Sequence, residues 1–395
     1  MTNPKIRFKQ ENCIDFPEWN HLQLNECCNC YDNMRKPIKE NLRHKGAYPY
    51  YGANDIQDYI DSYIFDGEFI LLAEDGGNFN DFQSKAIAKY ARGKFWVNNH
   101  AHIIQAKQEF SNKFIFYSIE HKDIRSYING STRGKLTKSD MWNIKIGVPS
   151  SIREQQKIAS FFSTLDQKIE LNERKLEALE KLKKGLMQKI FNRKIRFKKD
   201  DGTDFPDWTV SELGNIAEIR GGGTPSTSNS DYWDGNIQWL TPTEIDSKYV
   251  HESNRKITES GLANSSAKLL PIGTILLTTR ATIGACSINN FNGSVCTNQG
   301  FQSLVCKPIV LNEYVYYAIT FDEFREKLTK HASGSTFLEI SAKNLKKLTI
   351  PTPSLEEQRK IADFLSTIDL QIDLKKKTVS AMRDLKRGFM QQMFV

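Results

Sequence analysis

Few side chains in this 395-residue chain have the types and spacing for catalysis or metal binding. His100 and His102 stand two apart and would share one strand face, a start for a metal site, but neither a carboxylate nor a third histidine completes it. Cys27, Cys28 and Cys30 crowd together without the downstream pair that a structural zinc requires, so buried or inert thiols are expected. Gly221-Gly222-Gly223-Thr224-Pro225 has no lysine to reach a phosphate and reads as a turn or a close-approach loop. The phosphate-binding pattern G-x-x-x-x-G-K-[ST], an Asn-Pro-Pro-aromatic methylation motif and a nuclease carboxylate cluster are all missing. An enzyme is therefore disfavoured, and no metal is assigned.

The elements that carry the remaining polar motifs are written twice. Ile6-Arg7-Phe8-Lys9, Asp15-Phe16-Pro17 and Trp19 return as Ile195-Arg196-Phe197-Lys198, Asp204-Phe205-Pro206 and Trp208. Residues 151 to 191 align without a gap on 354 to 394, with 19 of 41 positions identical. Both copies read as long helices, because apolar residues such as Ile158, Phe162, Leu165 and Ile169, or Ile361, Leu365, Ile368 and Ile372, recur by threes and fours. Asn172/Lys375 and Lys183/Lys386 interrupt the seam at the same places, a device that fixes register. The simplest partner for each helix is the other copy, with a homodimer of coiled coils as the alternative. Trp19 and Trp208 are assigned to packing.

Before each helix lies a divergent stretch of domain size. In the first, Gly67-Glu68-Phe69-Ile70-Leu71-Leu72 precedes Asn98-Asn99-His100 and then Gly130-Ser131-Thr132. In the second, Gly273-Thr274-Ile275-Leu276-Leu277 precedes Thr297-Asn298-Gln299 and then Gly334-Ser335-Thr336. Short β-rich runs separated by Gly, Pro and Asn predict two copies of one α/β domain. The expected layout is a domain over 1–150, a helix over 151–194, a second domain over 195–353 and a helix over 354–395.

Composition agrees with a globular protein of several domains: 39% of residues are hydrophobic and 11% aromatic. No apolar run is long enough to span a bilayer and the start has no signal-peptide core, so no membrane and a cytoplasmic location are expected. The net charge of +8 is concentrated in residues 151 to 199, which hold 14 Lys/Arg against 6 Asp/Glu and leave 41 of each elsewhere. Such a basic stripe suits phosphates and equally suits a solvated helix face. Two related domains joined by paired helices would form a pseudo-twofold monomer matched to a split target. A duplicated scaffold that binds no DNA is the competing reading, and salt-dependent DNA binding separates the two.

The two helices open on Glu154-Gln155-x-Lys157-Ile158-Ala159 and Glu357-Gln358-Arg359-Lys360-Ile361-Ala362. On these motifs most specifically, the chain resembles a Type I restriction-modification specificity subunit over essentially its full length. Gly222-Gly223-Thr224-Pro225, Trp239-Leu240-Thr241, Leu276-Leu277-Thr278-Thr279-Arg280 and Thr297-Asn298-Gln299-Gly300-Phe301 add to the resemblance. Tyr50-Tyr51-Gly52-Ala53-Asn54, Leu71-Leu72-Ala73-Glu74-Asp75-Gly76 and Trp96-Val97-Asn98-Asn99-His100 are their counterparts in the first domain. Ala281 departs from the family's usual glycine after the arginine.

The resemblance implies two α/β target-recognition domains separated by two long helices in an antiparallel coiled coil. Each domain would read one half of a bipartite site in double-stranded DNA. Two methyltransferase subunits carrying S-adenosylmethionine and two restriction subunits using ATP and Mg would do the chemistry, with no cofactor on this chain. Asn and Gln match adenine bidentately and Arg matches guanine. This places Asn98, Asn99, Arg133, Arg280, Asn298 and Gln299 near DNA, together with Tyr51, Asn54, Thr241, Thr243, Ser335 and Thr336. Each of these side chains has a second available use, a hydrogen bond that holds its own loop.

Overall fold

The computed structural model describes residues 4–130, 133–280, 282–333 and 338–394, and the chain divides into two compact units. One unit comprises residues 1–174 and 376–395, the other residues 175–375. Each thus holds one α/β domain and part of both long helices, which run Ile152–Phe191 and Leu355–Met393.

The three-and-four rhythm becomes the buried face of these helices. In the first unit Ile158, Phe162, Met390 and Met393 join one core with the domain, and in the second Met187, Ile190, Ile361 and Leu365 do the same. Within the first unit the helices are antiparallel: Phe161 meets Phe389 at 5.1 Å between ring centroids, Asp166 meets Lys386 at 2.8 Å and Glu173 meets Arg383 at 2.6 Å. Polar seam residues pair across the helices as register pins should. Lys183 and Lys386, counterparts in the repeat, bond Asp369 and Asp166, which are counterparts as well. Asn172 bonds the Lys168 carbonyl one turn back, and its amide also reaches Met382 Sδ at 3.6 Å.

The repeated motifs fasten each domain to the start of its helix. Arg7 pairs with Glu154 at 2.8 Å and Arg196 with Glu357 at 2.9 Å, the carboxylates being fully buried. Gln155 accepts from the Ser111 N–H and donates to the Pro149 carbonyl; Gln358 does the same with Leu311 and Pro353, all at 2.9 Å. Lys157 and Lys360 donate to the Lys9 and Lys198 carbonyls. A buried carboxylate is tolerated only when paired and hydrogen-bonded, so Glu, Gln, Lys and the distant Arg recur together. Trp19 and Trp208 are buried beside these clamps, and the Trp208 indole N–H donates to Glu357.

The first domain is built on a six-stranded sheet in the order Cys28–Cys30, Ala101–Ala106, Phe65–Ala73, Ala88–Val97, Lys45–Tyr51 and Ile56–Ile60. The second has a five-stranded sheet, Ala217–Gly221, Phe301–Cys306, Ile275–Thr278, Cys286–Asn289 and Tyr249–Val250. Beside it stands a three-stranded one, Arg255–Ile257, Trp233–Leu240 and Val295–Thr297. The apolar runs singled out in sequence lie in central strands, with Phe69–Ala73 and Ile275–Thr278 buried throughout. The long strand Ala88–Val97 corresponds to two strands in the second domain, Cys286–Asn289 and Val295–Thr297, which belong to different sheets.

One expectation needs correction. His100 and His102 do not share a strand face, because the strand begins at Ala101 and each ring turns to its own carboxylate, Asp75 or Asp32. Of the three crowded cysteines, Cys27 and Cys28 are buried and Cys30 is half-buried, all as free thiols.

Candidate functional site

In both domains the end of one strand, the turn after it and a neighbouring strand end form a small crown with the same hydrogen-bond plan. Two strand ends run parallel, Tyr50–Tyr51 beside Trp96–Val97 and Trp239–Leu240 beside Cys296–Thr297. The chain then turns at an asparagine. The Asn98 N–H donates to the Tyr51 carbonyl at 3.1 Å and the Asn298 N–H to the Leu240 carbonyl at 3.0 Å. Each asparagine Oδ1 accepts the N–H two residues on, His100 or Gly300, at 2.8 Å. The carbonyls of His100 and Gly300 then accept the N–H groups of Glu74 and Thr279.

This geometry separates the paired amides. Asn98 is 3% exposed and its amide nitrogen donates to Gln57, so both ends of the side chain hold the loop. Asn298 is half-buried and makes the same turn. Asn99 and Gln299, one residue later, are exposed. Asn99 has no side-chain hydrogen bond among the described residues, while Gln299 Oε1 accepts from the Thr224 hydroxyl at 2.5 Å.

The other candidates divide likewise. The Tyr51 ring packs edge-on against Phe95, and burial raises its hydroxyl pKa. Asn54 donates to the Gly76 carbonyl, which ties its loop to that of Asp75. Thr241 donates to Glu244 at 2.7 Å and lies 3.0 Å from the Thr243 hydroxyl; Thr243 is exposed. Arg133 pairs with Asp75 at 2.9 Å and Arg280 with Glu339 at 2.5 Å, both guanidiniums being substantially exposed. Ser335 and Thr336 lie outside the described residues, as does Ala281.

Several members of the crown escaped the sequence reading. The Asp75 backbone pairs with that of Lys135 as the Arg280 backbone pairs with that of Glu339, so the two domains carry side chains of opposite charge at equivalent places. Aligning Leu71–Asp75 with Leu276–Arg280 would have revealed that inversion. Gly222 is required by close approach: a Cβ there would lie 2.0 Å from the Asn298 carbonyl oxygen. In the first domain Asp32, Glu74 and His102 also cluster with their ligand atoms close enough to hold a cation. Arg35 already occupies that role, bonding Glu74 at 2.5 Å and approaching Asp32 at 3.4 Å. His102 Nδ1 lies 2.6 Å from Asp32 and its Nε2 2.9 Å from the Leu136 carbonyl. Burial pushes Asp32 up, but His102, the Ile103 N–H and Arg35 reverse this and leave its pKa lowered.

A duplicated α/β domain, each copy clamped to a long helix and crowned by an outward-facing polar turn, defines a binding protein with two related sites. A family model described as Type I restriction modification DNA specificity domain matches this chain twice, over residues 17–181 and 206–381. The chain belongs to that family of non-catalytic specificity subunits. A putative type I restriction enzyme specificity subunit of Haemophilus influenzae is 31% identical over 370 residues, covering 91% of this chain and 90% of that protein. The type I restriction enzyme MjaIX specificity subunit of Methanocaldococcus jannaschii is 41% identical over 191 residues, 47% of this chain and 44% of that protein. The crystal structure of a type I restriction-modification S subunit from M. genitalium matches the fold with a TM-score of 0.65 at 16% identity, covering 100% of this chain and 99% of that one. No helix among the described residues is long and apolar enough to cross a membrane.

Proposed function

We propose that the chain chooses the DNA site for a type I restriction-modification complex, each domain reading one half of a bipartite duplex target. Partner subunits would then methylate adenine and restrict: two methyltransferases carrying S-adenosylmethionine and two restriction subunits using ATP and Mg. The observation behind this is the duplicated crown, which keeps its backbone plan while its exposed side chains change from Asn99 and Lys135 to Gln299 and Arg280, and its half-buried carboxylate moves from Asp75 to Glu339. A common frame with different outward groups suits two different half-sites, because base edges are distinguished by side-chain donors and acceptors.

The test combines the full-length chain with its methyltransferase partner and S-adenosylmethionine on a randomised duplex library. Methylation at one split motif supports the reading. Binding by the chain should weaken steeply with salt, as phosphate contacts require. Methyl transfer or cleavage by the chain alone would refute the proposal, as would an absence of DNA affinity.

A further inference from the structure

The geometry points to residues 99 and 299 as equivalent base-reading positions, each held out by a buried or half-buried asparagine that itself reads nothing; the inference rests on the DNA-reading function above. Three observations carry it. The asparagine turn consumes Asn98 Oδ1 and Nδ2, and Asn298 Oδ1, on partners within the same domain. The next residue is fixed from both sides, through the Asn98 and Asn298 N–H bonds before it and the His100 and Gly300 carbonyl bonds after it. Both fixed residues are exposed, and both are amides, although their neighbours differ.

A side-chain amide presents a donor and an acceptor side by side, which is the pattern adenine N7 and N6 complement in the major groove. The preferred base pair at each position is therefore A·T. The two positions also differ. Thr224 donates to Gln299 Oε1 at 2.5 Å and thereby holds the longer side chain in one orientation, leaving both Nε2 hydrogens and one Oε1 lone pair for a base. Thr224 is thus a positioning residue. Asn99 is shorter, with fewer torsions to restrain, and has no such side-chain partner among the described residues.

The experiment replaces amide with guanidinium and reads the methylated motif of the complete complex on a randomised duplex library. Gln299→Arg should convert one base pair of one half-site from A·T to G·C, since arginine fits guanine O6 and N7, with a change in preference of about 5- to 100-fold. Asn99→Arg should do so in the other half-site. Thr224→Val should weaken discrimination at the Gln299 base pair alone, and Thr224→Ser should restore it. Asn98→Ala and Asn298→Ala should lower methylation of every sequence without altering the motif. A folded Gln299→Arg complex with an unchanged motif overturns the assignment, as does relaxation of a single base pair by Asn298→Ala. If the unsubstituted complex shows no sequence preference, the function itself fails and this inference falls with it.

Discussion

The two domains share a backbone plan at the crown but brace it differently. Beneath the first lies a charged cluster: Asp32, Arg35, Glu74 and His102 are joined by ion pairs of 2.5 to 3.8 Å. At the equivalent places the second has Gln302 and Thr279, which are neutral. There Thr278 bonds the Thr282 and Ala285 carbonyls, and Thr279 donates from its N–H to Gly300. The same loop can thus be held by part-buried ion pairs or by neutral hydroxyls. A charged brace is costly to break and sensitive to pH, whereas a neutral one depends on close packing.

The sharpest way to break the comparison is Arg35→Met, which takes the guanidinium from Glu74 and Asp32 and leaves Glu74 the more distant Lys135 at 3.5 Å and Asp32 its His102 partner. Removing one partner of a fully buried charge pair costs about 3 to 5 kcal/mol; with Arg35 and Glu74 each 15% exposed the cost should fall below that range, and the loss should fall on the first domain. Hydrogen exchange resolved by peptide is the proper measure, because a chain with two compact units need not unfold in a single step. Equal loss of protection in both domains would contradict a local brace.

Next in size is Gly222→Ala in the second domain. The new methyl group would collide with the Asn298 and Thr297 carbonyls, which are backbone and cannot swing aside. Overpacking of this kind costs about 1 to 3 kcal/mol, and DNA-directed methylation should lose selectivity in one half-site only.

Acid should then distinguish the domains without any substitution. Asp32 has a lowered pKa in the folded chain, so its stabilisation is complete above the unfolded carboxylate value, near ~3.9, and is lost as pH falls through the folded one. Exchange should accelerate around Asp32, His102 and Ile103 below about pH 4, while the Thr278–Thr279 brace of the second domain keeps its protection. The smallest expected effect belongs to Gln302→Leu. Gln302 Oε1 is buried with no hydrogen-bond partner among the described residues, so an apolar replacement of similar length should be neutral or mildly stabilising. A loss comparable to that of Arg35→Met would show that the neutral brace includes Gln302 after all.

Much of this organisation is legible in the residues themselves. A duplicated Ile-Arg-Phe-Lys, a duplicated Glu-Gln-x-Lys-Ile-Ala and apolar steps of three and four specify two helices and two related domains, because periodicity and repetition are properties of one dimension. The amide pairs were also visible, but not their division of labour. Asn98 and Asn99 are chemically identical in sequence, and only the fold turns one inward against Gln57 and the next outward.

The repeat determined that Glu154 and Glu357 must do the same thing; it did not disclose that each binds an arginine about 150 residues earlier in the chain, at separations of 147 and 161. The crown's opposite charges, the Arg35 cluster and the Thr224 support for Gln299 arise where strands distant in sequence end side by side. Local pattern governs which face of a helix or strand is apolar, so it could be read directly. Which polar groups meet at the strand ends depends on sheet order and register, and those are set by long-range pairing that no local spacing encodes.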